Sequence, residues 1–301
     1  ILFSGNTIDL LSCIPETTYQ GYAISVNSFF KDGIEWLRLW YNHARGSGRQ
    51  LELKRFVDIH SFGSLLGQYQ AEGTKNKNTK SKYILDFASR TIMEHVDYLS
   101  YLNELGISKR STEFAFIHNP YTTPEETKKL LEQFQQLINL PLNIILDTKR
   151  NGKGFKCRIR NNLLTETILF SMDKVRTLLA TTKTYTDCQQ LLANSFFAKL
   201  ATGDGTLDIR TKNREYNYPG IRIKIVDQDI QYLQDYLAIM KNLKFRPHLV
   251  TEHILVKSCC RLSDLIYLYE IKAFKNVVNW YKLLLSIDLL LTGARLSTLK
   301  R

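Results

Sequence analysis

The chain has 301 residues, 44% of them hydrophobic and 23% charged, which is enough to bury a sizeable core as one large domain or two fused halves. Its 41 Lys and Arg outweigh 29 Asp and Glu, and the formal net charge of +12 points to a polyanionic partner, nucleic acid first and an acidic membrane surface second. Five cysteines without CxxC spacing argue against a secreted disulfide framework or a zinc site, and the first residues lack the basic segment and long apolar run of a signal peptide, so an intracellular, reducing compartment is expected.

Residues 1–55 read as an N-terminal extension. Tyr22 to Val26 is compatible with a strand, and Gly33 to His43 reads as a helix. From Phe56 the chain enters a first half, expected over 56–185. Its leading helix runs from Ser61, a plausible N-cap, to Gln70, and closes in Ala71-Glu72-Gly73. A basic loop with Lys75, Lys77, Lys80 and Lys82 comes after it, then a strand near Lys82 to Phe87. A helix from Met93 to Leu105 comes next, its apolar residues at helical spacing, closed by Gly106. Next come Glu113 to Ile117, a helix from Pro124 to Ile138, and a strand from Leu142 to Asp147. A short basic strand with Lys156, Arg158 and Arg160 and a Leu-rich helix end this half.

A second half, expected over 186–301, repeats the order. Its leading helix closes in Thr202-Gly203-Asp204-Gly205. It continues with strands Thr206 to Lys212 and Ile221 to Val226, a helix from Gln228 to Met240, and a strand with Lys257 before another Leu-rich helix. Tyr83 to Leu105 aligns with Ile221 to Leu243, and Phe155 to Phe170 with Ile254 to Tyr269, so the chain contains an internal repeat. The segment from Tyr281 to Leu291 is interrupted by Lys282, Ser286 and Asp288, so it reads as an amphipathic helix and not a membrane span.

Two stretches carry the chemistry. Leu65-Leu66-Gly67-Gln68-Tyr69-Gln70-Ala71-Glu72-Gly73 and Phe197-Ala198-Lys199-Leu200-Ala201-Thr202-Gly203-Asp204-Gly205 are apolar runs ending in a small residue, an acid and glycine. Each reads as a helix that delivers one carboxylate at its C-terminal end, with the next glycine free to take positive φ and stop it. Two such helices packed together would bring Glu72 and Asp204 to one spot, and two carboxylates at one spot want a divalent cation.

These residues resemble the LAGLIDADG homing endonucleases in their single-chain, two-motif form. The first copy keeps Leu65, Gly67, Ala71, Glu72 and Gly73, and the second keeps Ala198, Leu200, Gly203, Asp204 and Gly205. Lys199 stands where the family usually has a close-packing glycine. The resemblance implies an α+β fold of two αββαββα halves related by a pseudo-two-fold axis, with basic antiparallel sheets facing duplex DNA. It implies a monomeric, Mg²⁺-dependent double-strand endonuclease of mobile introns. Glu72 and Asp204 would be both catalytic and metal-binding, with Ala71, Gly73, Gly203 and Gly205 beside them in the metal set. The family also places a basic residue near each metal, which carries over to Lys183 and Lys275, with Lys282 as a fallback.

Strand alternation supplies the expected nucleic-acid face. In Ile221-Arg222-Ile223-Lys224-Ile225 both cations fall on one face, and in Leu207-Asp208-Ile209-Arg210-Thr211-Lys212 the charged residues share a face. With the loop lysines, Lys156, Arg158, Arg160, Arg214, Lys257 and Arg261, these make up the expected DNA-binding set. A basic face alone also suits structured RNA. The alternative function is therefore a catalytically silent nucleic-acid binder, an intron RNA maturase or a DNA-binding regulator.

Overall fold

The structure, a computed structural model, describes residues 1–42, 49–73, 84–89, 91–108, 113–117, 144–147, 154–210, 220–226, 229–251, 254–259 and 261–292, with scattered positions between 123 and 136. The chain is mixed α+β and divides into two compact units, Ile1–Asp173 and Lys174–Arg301.

The first unit begins with two three-stranded antiparallel sheets. Strands β1 (Leu2–Ser4), β2 (Thr7–Asp9) and β6 (Phe56–Asp58) form one, and β3 (Ser25–Lys31), β4 (Ile34–Tyr41) and β5 (Arg49–Lys54) form the other. The segment expected as a helix from Gly33 is therefore strand β4, and the expected strand at Tyr22 begins at Ser25. Two local features decide this. Asp32 and Gly33 both have positive φ, 53° and 73°, and Lys31 pairs with Ile34 across them. That is the two-residue hairpin turn whose twist matches antiparallel strands. Along β4, Leu37, Leu39 and Tyr41 are buried while Ile34 and Arg38 are exposed, a period of two. Leu51 and Leu53 pair with Leu39 and Leu37 on the buried face.

One arginine fastens these sheets together. The Arg55 guanidinium donates to Asp9 through Nε and Nη2, at 3.1 and 2.8 Å, and to Glu35 through Nη1 at 2.7 Å. These hydrogen bonds to two carboxylates hold it charged above the ordinary arginine range. The Asp9 carboxylate also accepts from the Leu11 N–H at 3.1 Å, starting a short 3₁₀ turn over Leu10–Cys13.

Helix α1 (Ile59–Glu72) begins directly after β6, without a loop. Its cap is Asp58 and not Ser61: the Asp58 carboxylate accepts from the Ser61 N–H at 2.8 Å. The four-stranded sheet of this unit has the order β7 (Leu85–Ser89), β10 (Gly154–Ile159), β8 (Glu113–Ile117) and β9 (Ile144–Asp147), with β8 and β9 parallel. Among the residues expected to form a helix from Pro124, those described are helical. Helix α2 (Ile92–Glu104) lies between β7 and β8 in sequence, and its buried face meets α1 and β7. Phe87 stacks on Tyr98 at 4.3 Å, and the His95 ring lies between the Cys157 sulfur at 3.1 Å and the Ser89 carbonyl at 3.2 Å. Burial pushes the Cys157 thiol and the Tyr69 and Tyr98 phenols up.

The N-terminal residues are built into this unit. The Lys54 N–H donates to the Leu105 carbonyl at 3.0 Å, the Ser171 hydroxyl to the Cys13 carbonyl at 3.2 Å, and the Tyr19 N–H to the Glu166 carboxylate at 2.9 Å. Ser171 and Glu166 belong to α3 (Asn162–Thr181), and the boundary between the two units falls inside this helix.

In the second unit, α4 (Asp187–Gly203) begins with a full capping box, Thr186 and Gln189 each satisfying the other's backbone N–H. Its sheet is antiparallel throughout, in the order β11 (Gly205–Arg210), β12 (Gly220–Val226), β14 (Ile254–Cys259), β13 (His248–Thr251). Helix α5 (Ile230–Asn242) succeeds β12 as α2 succeeds β7, and both helices are 13 residues long. They also end alike. Gly106 and Lys244 take φ of 91° and 68°, and the next N–H, of Ile107 or Phe245, reaches back to Leu102 or Met240 at 3.0 or 2.9 Å. Arg176 fastens α3 to α5, donating to Asp235 at 2.8 Å with its guanidinium 3.9 Å from the Tyr232 ring centre. Helices α6 (Leu262–Glu270) and α7 (Val277–Thr292) complete the unit. Among the described residues no helix is long and apolar enough to cross a membrane.

Buried phenols give a prediction for alkaline pH. Burial raises Tyr267 to about 12, and Tyr69 and Tyr98 shift the same way. An unfolded chain ionises its tyrosines near about 10 while the native one does not, so their contribution is complete below that value and is lost as pH rises through the native pKa. Thermal melts should show a steady fall in Tm from about pH 10 upward. Tyr267→Phe should flatten the part of this fall below about pH 12, and a flat Tm across this range would contradict it.

Candidate functional site

The two acid-bearing helix ends have the same local construction. Glu72 is the last residue of α1 and Asp204 caps α4, and both are half-buried. Neither adjoining glycine adopts the expected positive φ: Gly73 is extended, at φ −81° and ψ 157°, and Gly205 is outside the left-handed region. Close approach is the feature that requires glycine. A Cβ on Gly73 would lie 2.4 Å from the Tyr69 carbonyl oxygen, and one on Gly205 2.2 Å from that of Ala201. In each case the obstructing carbonyl is four residues back, in the last helical turn.

Each glycine is itself drawn to the sheet of its unit. Gly73 forms a bridge with Phe87 of β7, and Gly205 pairs with Ile225 of β12. Each helix thus meets its sheet at the glycine itself. Across Gly73 the Tyr69 ring closes in, its Cδ2 2.5 Å from the ideal Cβ position; across Gly205 it is Phe274, Cε1 at 2.9 Å.

Phe274 belongs to the link between α6 and α7, and that link passes over the end of α4. Asn276 donates to the Thr202 carbonyl at 3.5 Å. Lys275, expected as the basic partner in this half, is exposed and sits between these two contacts. Lys282 on α7 donates through Nζ to the Leu207 carbonyl of β11 at 3.0 Å. The second unit therefore gathers Asp204, Lys275 and Lys282 around one helix end and the strand leaving it. Lys183, expected to serve the first half, has no comparable placement there: it lies just past α3, is exposed, and falls after the boundary at Asp173.

The expected basic faces are reshaped in both sheets. In the first unit, Cys157 and Ile159 of β10 face the core with Leu85 and Phe87, and Lys156 and Arg158 take the other face. Asp86 shares that face. Its carboxylate holds Lys156 at 2.7 Å and Arg158 at 3.1 Å, and Lys156 is only 5% exposed. Lys156 is thus a buried ion-pair partner and not an exposed DNA contact, because the register sets Arg158 opposite a carboxylate. Arg160, just past the strand, is exposed.

In the second unit, Asp208 stands opposite Arg222 and Thr206 opposite Lys224, while Leu207 stands opposite Ile223. Leu207, Ile225 and Leu255 are buried, so the apolar row is as expected. Lys257 is the exception, since its register partner is Ile223, which places it in the row of Ile225 and Leu255. Arg210 lies on β11, and Arg261, exposed, precedes α6. Lys75, Lys77, Lys80, Lys82, Lys212 and Arg214 lie outside the described residues.

Sequence reasoning missed Asp86, the acid that neutralises Lys156 and Arg158, and the two contacts that hold Lys275 beside the α4 end. Asp86 could have been found from strand phase, since it alternates with Leu85 and Phe87. Among the described residues no three His, Cys, Asp or Glu side chains form a ready-made metal cluster.

Among solved structures, the chain is similar to a lysine-to-alanine mutant of I-SmaMI over 70% of its own length and 84% of that chain, at 12% identity and a TM-score of 0.37. It is also similar to the meganuclease I-SmaMI bound to uncleavable DNA with a TTGT central four, over 70% and 83%, at 12% identity and a TM-score of 0.33. No family model and no curated protein matches the chain.

The junction geometry sets an expectation for stability. Gly73→Ala and Gly205→Ala must each displace a main-chain carbonyl or unwind the last turn, and overpacking of this kind costs about 1–3 kcal/mol. Each variant should melt several degrees below the parent, and an unchanged Tm would show that the helix ends do not turn as described.

Proposed function

We propose that this chain is a site-specific double-strand DNA endonuclease of the LAGLIDADG homing type, acting as a monomer and using Mg²⁺ or another divalent cation. The observation that carries the reading is the recurrence of one construction at Glu72-Gly73 and Asp204-Gly205. A motif helix ends in an acid, a glycine that admits no Cβ comes next, and that glycine itself pairs with a strand of the sheet. A carboxylate at a helix C-terminus faces the negative end of the helix dipole, so stability alone gives no reason to keep an acid there twice.

Each helix end offers hard donors of the kind Mg²⁺ takes: a carboxylate, Glu72 or Asp204, with the backbone carbonyls of Ala71 and Gly73 in one unit and of Gly203 and Gly205 in the other. Such an ion, when bound, activates water and stabilises the leaving oxygen of the phosphodiester. The chain's own residues do the rest. Lys275, held by Phe274 and Asn276, adds positive charge near the phosphate undergoing attack, and Lys183 is the corresponding proposal for the first half. Arg160 and Arg261, exposed at strand-to-helix junctions, and Arg210, Arg222 and Lys224 on the strands contact the duplex. The high net charge supports a nucleic-acid partner on electrostatic grounds.

One observation favours the alternative of a catalytically silent nucleic-acid binder. Lys199 is half-buried at the place where the first motif has the buried Gly67. A long side chain there alters how closely a partner can approach that face of α4.

Cleavage separates the two readings. The purified chain, incubated with a randomised duplex library in Mg²⁺, should cut both strands at a preferred sequence. The double variant Glu72→Gln/Asp204→Asn should bind that sequence without cutting it. If the parent binds duplex DNA tightly and never cuts, the silent-binder reading replaces this one.

A further inference from the structure

Helices α2 and α5 close with the same hydrogen bond, but the left-handed residue differs: Gly106 in one unit and Lys244 in the other, at φ 91° and 68°. Glycine is the ordinary occupant of that position because its backbone carries no penalty there. A lysine takes on the strain of left-handed backbone, which outweighs what a cation gains beside a helix C-terminus. Lys241, in the last turn of α5, already supplies such a cation. Stability of the helix end is therefore no reason for Lys244.

The residues after it continue the display of charge. Leu243, Phe245 and Pro247 are buried while Lys244, Arg246 and His248 are exposed, a strict alternation that runs into β13. Pro247 has a fixed φ and biases Arg246 toward extended backbone, so the alternation is stiff. Among the described residues, the Lys244, Arg246 and His248 side chains have no hydrogen-bonded or ion-paired partner.

Register ties this ridge to the sheet. His248 stands opposite Val256, Val256 opposite Lys224, and Lys224 opposite Thr206. This row alternates with the buried row of Leu207, Ile225 and Leu255, so it lies on the outer face. It crosses all four strands, which sets its ends roughly 14 Å apart. The major groove of B-form DNA is about 12 Å wide. With the middle of the row over that groove, β13 and the chain leading into it lie over one of the flanking phosphate strands.

We infer that Lys244, Arg246 and His248 form a ridge that holds the phosphate backbone of B-form DNA beside the groove, two side chains supplying charge and the third a ring N–H. Duplex RNA is the poorer partner, because its narrow, deep major groove admits no sheet of this width. Contacts to phosphate add affinity without reading sequence. The inference rests on the duplex partner of the proposed function and not on cleavage, since the ridge contains neither motif acid.

The test is equilibrium binding of the full chain to labelled random-sequence DNA duplexes in EDTA over a series of salt concentrations, beside duplex RNA of equal length. Lys244→Gly and Arg246→Ala should each weaken DNA binding by about five- to tenfold at about 0.1 M salt, and each should lower the slope of log affinity against log salt by about 0.9. The loss should be the same for every DNA sequence and smaller on duplex RNA. Lys244→Gly should also raise Tm by about 2–4 °C as the left-handed strain is relieved, and circular dichroism should show Arg246→Ala folded. A parent that binds DNA while both folded variants keep its affinity and slope overturns the inference and leaves the endonuclease reading standing. Equal losses on duplex RNA, or a fall in Tm for Lys244→Gly with binding unchanged, also overturn it. A parent that binds no duplex DNA overturns both readings.

Discussion

The helix-to-strand junction at Gly205, matched at Gly73, is the constraint on which the rest of the arrangement depends. The space where a side chain would begin is occupied by the carbonyl of the last helical turn, so the backbone can turn into the sheet only through glycine. Because no loop intervenes, pairing starts at the glycine itself, with Ile225 in one unit and Phe87 in the other. The position of the preceding acid is then fixed by the register of the sheet. An acid on a flexible loop would lose conformational freedom whenever it held a ligand, whereas here folding has already ordered the backbone that carries it.

Electrostatics at that junction runs against the acid. Asp204 caps α4 at the end where the helix carbonyls are exposed, and the negative end of the helix dipole adds to its charge. Two features of the second unit work in the opposite sense. Asn276 donates to the Thr202 carbonyl, removing one exposed acceptor, and Lys282 donates to Leu207 on the strand leaving the junction. Both come from the α6–α7 segment, which also supplies the Phe274 ring over Gly205. The same piece of chain that closes the junction sterically thus brings the amide and ammonium groups that temper its charge.

How much of this was legible in the sequence depends on the range of the interactions. The likeness of α2 and α5 was legible because both are specified locally, by apolar spacing and a left-handed residue just past the end. The aligned segments contain two helices of equal length with the same closing hydrogen bonds. The hairpin at Asp32-Gly33 was also written locally but was masked. Trp36 and Trp40 occupy the outer face of β4, so Trp-Leu-Arg-Leu-Trp-Tyr reads as an almost unbroken apolar run, and alternation is hidden where both faces are aromatic or aliphatic. The fates of Lys156 and Lys257 were not legible. Strand phase places a cation on a face, but only the register of a distant strand sets Asp86 beside Lys156 or Ile223 opposite Lys257. The requirement for glycine was readable and its cause was not, since close approach and positive φ leave the same mark in a sequence.

Register also explains how a chain with so many cations keeps its sheets together. Like charges on adjacent strands repel, and a sheet face made only of Lys and Arg would lose stability at each cross-strand neighbour. In both four-stranded sheets an acid interrupts the row: Asp86 holds Lys156 and Arg158, and Asp208 stands opposite Arg222. Removing water from Lys156 is tolerable only because Asp86 is there, and Asp86 is equally dependent on its two cations. In the first sheet positive charge is therefore balanced inside the ladder, and exposed cations stand where strands give way to helices, at Arg160 before α3 and Arg261 before α6. Those positions lie just outside the hydrogen-bonded strands, where a long cationic side chain can be exposed without disturbing the register that holds the sheet.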